Sequence, residues 1–191
     1  MTDEESLLAA IDEGVALDAY DARWPAMFAA ERARLFALLP GRLIDVQHIG
    51  STAVPGLAAK PIVDVMTGVV SMEVARELAS ALCSPAGGYT TSAAFNAGLA
   101  DRQWFMHWAD GRRTHHLHLV VHGGPAWQQR LEFRDRLRAD AVLAARYAGL
   151  KATLAATHRH DREAYTRAKA AFVQCVVGDE NGGVDSGPAH A

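Results

Sequence analysis

Cysteine is nearly absent. Cys83 and Cys175 are the two in 191 residues, no metal-ligand spacing joins them, and no secretory signal precedes them. Long apolar runs are missing too, since none reaches the roughly 18 to 20 residues that a bilayer-crossing helix needs. There is no excess of positive charge: the formal net charge is −3 and the isoelectric point about 6.3, which argues against a basic face built for duplex DNA. Several catalytic signatures are also lacking: a G-x-S-x-G elbow, a G-x-x-x-x-G-K-[S/T] loop, an H-E-x-x-H helix and a C-x-x-C pair. These absences leave a soluble, cytoplasmic protein as the expectation, with no membrane and no duplex DNA as partner. Core material is plentiful, with 50% of residues apolar and 21% charged, and the length suits one domain.

The chain divides into an acidic, weakly amphipathic arm over 1–19 (Asp3, Glu4, Glu5, Asp12, Glu13), one domain over 20–177, and a polar, Gly-rich disordered tail over 178–191. No internal repeat is present. In residues 21–40, Trp24, Met27, Phe28, Leu35, Leu38 and Leu39 recur at helical offsets, with Pro25 near the first turn and Pro40-Gly41 at the end. Residues 42–49 alternate as a strand, and Val/Ile-rich 61–70 reads as a central strand. A helix is expected over 72–83, strands and loops over 87–121, and helices over 125–138, 140–156 and 159–177.

The densest stretch is HIGSTAVPGLAAKPIVDVMTGV, residues 48–69. Gly50-Ser51 breaks the strand and offers backbone N–H groups and a hydroxyl to an anionic oxygen. Asp64 stands between Val63 and Val65, so its carboxylate projects from the opposite strand face. There it needs a metal, a base or water as partner. Lys60 precedes Pro61, which presets an extended entry to the strand. Mg²⁺ held by a carboxylate and substrate phosphates fits these residues. A tight turn with Asp64 capped or ion-paired fits them as well.

HIGSTAVPGLAAKPIVDV (48–65) resembles the hallmark H-x-G-S-T-x-V-P-G-L-x-x-K-P-x-x-D segment of the GrpB family. Further likeness runs through RWPAMFAAERARL (23–35), DRQWFMHW (101–108), RTHHLHLV (113–120), WQQRLEFRDRLRAD (127–140) and 147–173, so roughly 20–177 is covered. That family is placed in the nucleotidyltransferase-fold superfamily, and related domains occur fused behind some dephospho-CoA kinases. The resemblance implies an α+β fold: a small mixed β-sheet backed by helices, with a helical C-terminal portion and a site at the Gly-Ser turn and Asp64. It does not settle the function, because the family's role is largely unassigned. The chain also departs from the superfamily's Asp-x-Asp/Glu pattern, since Met66 stands where the second metal-binding carboxylate would. Two-metal transfer ordinarily needs both carboxylates, and a thioether is too soft for Mg²⁺.

The strand RTHHLHLVVH is the candidate for completing the site. His116 and His118 share one face by alternation, with His115, Leu117 and Leu119 on the other. With Asp64 they would form a two-histidine, one-carboxylate set suited to Zn²⁺, Mn²⁺ or Fe²⁺ rather than Mg²⁺. Alternatively they act as acid and base or grip phosphate, or one is a buried structural histidine and the other solvated. His48 is either a phosphate contact, an orienter of Asp64, or a structural group. Lys60, Arg102, Arg113, Tyr165 and Lys169 are candidate contacts to an anionic substrate, the last pair sharing a helix face. The interleaved charges of RLEFRDRLR suggest surface ion pairs, and Trp104, Phe105 and Trp127 suit the core better than base stacking.

Two classes of function follow. One is a metal-dependent, nucleotidyltransferase-like enzyme acting on a nucleotide or other phosphorylated small molecule, with Asp64, His116 and His118 catalytic. The other is a ligand-binding or chaperone-like module that keeps the fold without transfer. A repurposed active site in a specialised small-molecule pathway is the third option.

Overall fold

A computed structural model describes residues 16–158 and 162–178, together with 2, 4, 5 and 8. Most of the expected N-terminal arm, and the expected tail beyond Gly178, lie outside the described residues. Helix α1 (Trp24–Leu38) starts with proline in its first turn and buries Trp24, Glu31 and Leu35. Five strands follow in one sheet: β1 (Asp45–Ile49), β2 (Val63–Val69), β3 (Tyr89–Thr90), β4 (Gln103–Ala109) and β5 (Arg112–Val121). Their spatial order is β1-β2-β5-β4-β3. Only β2 and β5 pair in parallel, and the other three neighbours are antiparallel. The expected small mixed sheet backed by helices is what the chain forms.

Alternation along the strands divides the sheet into two faces. Val63, Val65, Val69, Leu117, Leu119 and Phe105 point to the main core, which α1 covers. Asp64, Met66, His116 and His118 belong to the other face, where Met66 packs with Ile49, Val120 and Trp127. The expected helix over 72–83 is two short ones, α2 (Met72–Glu77) and α3 (Ala79–Leu82), joined at Leu78. A short helix not expected from the sequence, α4 (Ala93–Ala97), begins at Ser92, whose hydroxyl accepts from the Phe95 N–H. Asn96 ties α4 to β4: its amide donates to Thr91 Oγ1 at 2.7 Å, and its carbonyl accepts from the Trp104 N–H at 2.8 Å.

Three helices complete the chain: α5 (Pro125–Ala139), α6 (Ala141–Thr157) and α7 (Arg162–Gly178). Asp140 separates the first two by capping α6, its Oδ1 accepting from the Val142 and Leu143 N–H groups. Phe133, Tyr147 and Phe172 pack ring to ring and hold the three helices together. Some charges of α5 form surface ion pairs as expected, such as Arg136 with Glu132 at 2.7 Å. Two of its arginines also reach inward. Buried Arg134 donates to Gln47 Oε1 and the His48 carbonyl, and Arg138 donates to the Ala53 carbonyl. The helices are thereby fastened to both sides of the Gly-Ser turn.

Candidate functional site

The parallel register sets Asp64 of β2 opposite His116 of β5 and Met66 opposite His118. His116 Nδ1 lies 3.0 Å from Asp64 Oδ1, and His118 Nε2 lies 3.9 Å from the same oxygen. The carboxylate keeps 29% of its surface exposed and faces a cavity of about 310 Å³. That volume is at the small end of ligand pockets. Ser51, Lys60, Asp64 and Arg102 line it from the loops and β2. His116 and His118 close it from β5, and Tyr165 and Lys169 from α7. The structure therefore brings eight of the residues singled out from the sequence around one space.

Gly50 lies beneath the cavity. It holds φ +71°, and a Cβ there would press on Asp64 Oδ2, so glycine leaves the room the carboxylate occupies. Two other candidates do not reach the cavity. His48 is 6% exposed, stacks on Phe28, and pairs through Nε2 with Thr52 Oγ1 at 3.0 Å. Its imidazole lines a separate groove of about 770 Å³ against α1 and α5. Arg113 is 2% exposed, packs over Trp108 and donates to Met106 Sδ at 3.8 Å. Alternation places His48 on the α1 side of β1. The bulge between β4 and β5 near Trp108 sets Arg113 against Met106. His48 thus takes the structural alternative that the sequence also allowed, and Arg113 is placed away from the cavity rather than as the expected substrate contact.

Burial pushes the Asp64 carboxyl up, but the hydrogen bonds from His116 and His118 outweigh it and hold the group below the usual carboxylate range. Burial likewise lowers His116, to about 4, against the opposing pull of Asp64, and lowers His118. At neutral pH the pair is thus an ionised carboxylate accepting from a neutral imidazole.

Sequence reasoning missed the residue that organises the turn. Lys151 of α6 is 2% exposed. Its ammonium donates to Ser51 Oγ at 3.0 Å and to the Ala58 carbonyl, clasping both ends of the loop. Burial, then the charge of Lys169, lower it to about 7. It lies 4.9 Å from the Tyr147 ring centre, as Lys169 lies 4.3 Å from that of Tyr165. The same Tyr-x-x-x-Lys spacing occurs on both helices. In YAGLKATLA it was a legible signal: one lysine in an apolar stretch.

The donor set does not fit the expected metal centre. Met66 is fully buried in the apolar cluster under α5, and among the described residues no second carboxylate lines the cavity with Asp64. An imidazole that ligates a metal ordinarily donates its other N–H to a partner. His116 meets this condition through Nδ1, which Asp64 holds at 3.0 Å, and its Nε2 is buried with no hydrogen-bond partner. Among the described residues, no group of three or more His, Cys, Asp or Glu is arranged to hold a metal ion. No helix among them is long and apolar enough to cross a membrane.

Comparison with known proteins finds the GrpB protein family model over residues 14–178. The chain is 30% identical over 165 residues to the glutamate-rich protein GrpB of Alkalihalophilus pseudofirmus, covering 86% of this chain and 95% of that one. It is 36% identical to the protein YqkA of Bacillus subtilis over 81% of this chain, which spans 44% of that protein. A dephospho-CoA kinase of Mycolicibacterium paratuberculosis is 31% identical over 78% of this chain and 42% of its own length. The crystal structure of the conserved protein GrpB from Enterococcus faecalis superposes with a TM-score of 0.74 at 31% identity, covering 86% of this chain and 96% of that one.

Proposed function

The chain belongs to the GrpB family, and from that premise we propose that the cavity is the active site of a transferase acting on a phosphorylated small molecule, a nucleotide among the candidates. One observation carries this reading: a single carboxylate, Asp64, meets four basic side chains, Lys60, Arg102, Lys151 and Lys169, around one cavity. Phosphoryl and nucleotidyl transfer depend mostly on positioning and on stabilising charge over phosphate oxygens. The lysines and the Arg102 fork supply that charge. Asp64, kept ionised and oriented by His116, accepts the proton of the attacking hydroxyl. His118, 3.9 Å from the same oxygen, offers a second neutral donor to the carboxylate or the substrate. No step of this reading is routed through a divalent cation, since no group of three or more His, Cys, Asp or Glu among the described residues is arranged to hold one.

The position of Met66 favours a second reading, a ligand-binding module that keeps fold and pocket without transfer. A thermal-shift panel separates the two from failure of both. Nucleoside triphosphates, dephospho-CoA and CoA are offered to wild type and to Asp64→Asn, each with Mg²⁺, Mn²⁺, Zn²⁺ or EDTA. A ligand at about 100 times its Kd adds roughly 2.7 kcal/mol of stability, enough to see. Stabilisation with turnover that Asp64→Asn abolishes supports the enzyme. Stabilisation without turnover supports the module. No stabilisation by any phosphorylated compound overturns the pocket's assignment.

A further inference from the structure

The Asp64-centred reading uses Lys151 only as a positive charge and leaves its contact with Ser51 without a role. Ser51 begins a short 3-10 turn directly after Gly50, and its hydroxyl lies on the cavity wall. Lys151 approaches from α6, a hundred residues later in the chain, and places Nζ 3.0 Å from Ser51 Oγ. Its second contact, to the Ala58 carbonyl, fixes the amine so that one N–H is committed there and one position faces the serine. The Tyr147 ring centre lies 4.9 Å from the same Nζ and walls the amine on its own helix. A hydroxyl within hydrogen-bond reach of a positioned base, itself held by a third group, is the arrangement of an activated nucleophile.

We propose that Ser51 is a nucleophile and Lys151 its general base, so that the cavity transfers a phosphoryl-type group through a serine ester. This rests on the reading of the cavity as a site for phosphorylated compounds. The step balances without another reactant. The neutral Lys151 amine takes the Ser51 proton as Oγ bonds to phosphorus. The bond from phosphorus to the leaving oxygen breaks, and that oxygen takes the proton back from the Lys151 ammonium. An acceptor hydroxyl, or water, then attacks the ester with its proton going to Asp64. The bond from phosphorus to Ser51 Oγ breaks, and that oxygen receives the proton held by Asp64, relayed through the Lys151 amine, so that Asp64 returns to carboxylate and Lys151 to free amine. Lys60, Lys169 and Arg102 face the phosphoryl oxygens throughout.

A lysine acts as a base at neutral pH only if its proton is loosely held. The titratable and charged groups around Nζ are Tyr147 on its own helix, Tyr165 and Lys169 on α7, Lys60 in the loop and Asp64 on β2. Burial and Lys169 lower it to about 7, which keeps a working fraction of free amine at physiological pH.

A fluorophosphonate probe tests the pair independently of the natural substrate, because it forms the same Oγ–P bond and releases fluoride. Intact mass and peptide mapping are expected to place one adduct on Ser51. Its rate should rise through a single transition near pH 7, and fall at least about 100-fold in Lys151→Met, the scale of a lost general base. Lys151→Met is read together with its melting curve. If it does not fold, the wild-type pH profile and Lys169→Met decide, since removing the neighbouring cation should move the transition to higher pH. No adduct on Ser51 in folded wild type overturns the proposal, as does an adduct whose rate ignores both pH and Lys169. Nucleotide stabilisation in the thermal-shift panel without a Ser51 adduct would leave the pocket reading standing and remove only the dyad.

Discussion

The carboxylate of Asp64 occupies the space that a side chain on Gly50 would need. Gly50 holds φ +71° and ψ −171°, and a Cβ there would stand against Asp64 Oδ2. That backbone region is essentially reserved to glycine. The Gly-Ser turn and the aspartate, distant in sequence by a loop, are therefore one steric unit.

Gly50→Ala is accordingly expected to cost about 3 kcal/mol, combining backbone strain with displacement of a partly buried carboxylate. Gly56 supplies the comparison, since it also holds a positive φ, +78°, but has nothing within 4 Å of its would-be Cβ. Urea unfolding of both alanine variants separates strain from collision. Equal losses of stability would mean that the contact with Asp64 carries nothing.

Buried histidines set an acid limit. His48 is lowered to about 4 by burial, outweighing the pull of Asp64. Its folded pKa lies below that of an exposed imidazole, so on acidification the unfolded chain takes up the proton first. Stability from this source is complete above pH 6.5 or so, falls between about 6.5 and 4, and amounts to about 3 kcal/mol at most. His48→Gln, which can still meet Thr52, should flatten that part of the curve in urea titrations at pH 7, 6, 5 and 4.5. An unchanged slope would assign the acid limit to other groups.

Treatment with EDTA is expected to leave both the melting temperature and the affinity for phosphorylated ligands unchanged. The reason is geometric: among the described residues no group of three or more His, Cys, Asp or Glu is arranged to hold a metal ion. Stabilisation by Zn²⁺ or Mn²⁺ that disappears in Asp64→Asn would restore the two-histidine, one-carboxylate centre.

How far the site could be read from sequence depended on the range of the interaction involved. Alternation within one strand put His116 and His118 on the same face and Asp64 opposite Val63 and Val65, and the structure agrees. The same rule could not tell that His48 faces the α1 side, because β1 offers too few apolar markers to orient its faces. The helix at Ala93–Ala97 begins at a local cap by Ser92, a signal weaker than the hydrophobic period, and the break at Leu78 has no side-chain cap to mark it. Lys151 was missed for another reason. A lone lysine in the apolar stretch YAGLKATLA marks the position as unusual, but its role follows from α6 docking on the Ser51–Ala58 loop, a tertiary contact that the local pattern does not specify.

The exchange at Met66 has a definite test. Asp64 and Met66 share a sheet face, yet the first opens to the cavity while the second is fully buried beside Ile49, Val120 and Trp127. The apolar cluster under α5 thus takes in Met66, so on β2 the polar site ends at Asp64, while on β5 it reaches one row further, to His118 opposite Met66. Restoring a carboxylate there would bury a charge beneath Trp127 rather than place it beside a substrate. Met66→Asp is therefore expected to lose about 3 kcal/mol or more and to gain no Mg²⁺-dependent stability. Met66→Leu, which keeps the volume, should cost less than about 1.5 kcal/mol. A folded Met66→Asp protein stabilised by Mg²⁺ would mean that α5 yields readily and that the superfamily's paired-carboxylate site persists beneath it. The opposite result makes Met66 part of the core, and makes the single carboxylate of Asp64, with its imidazole partner and surrounding lysines, the whole of the polar chemistry on that face.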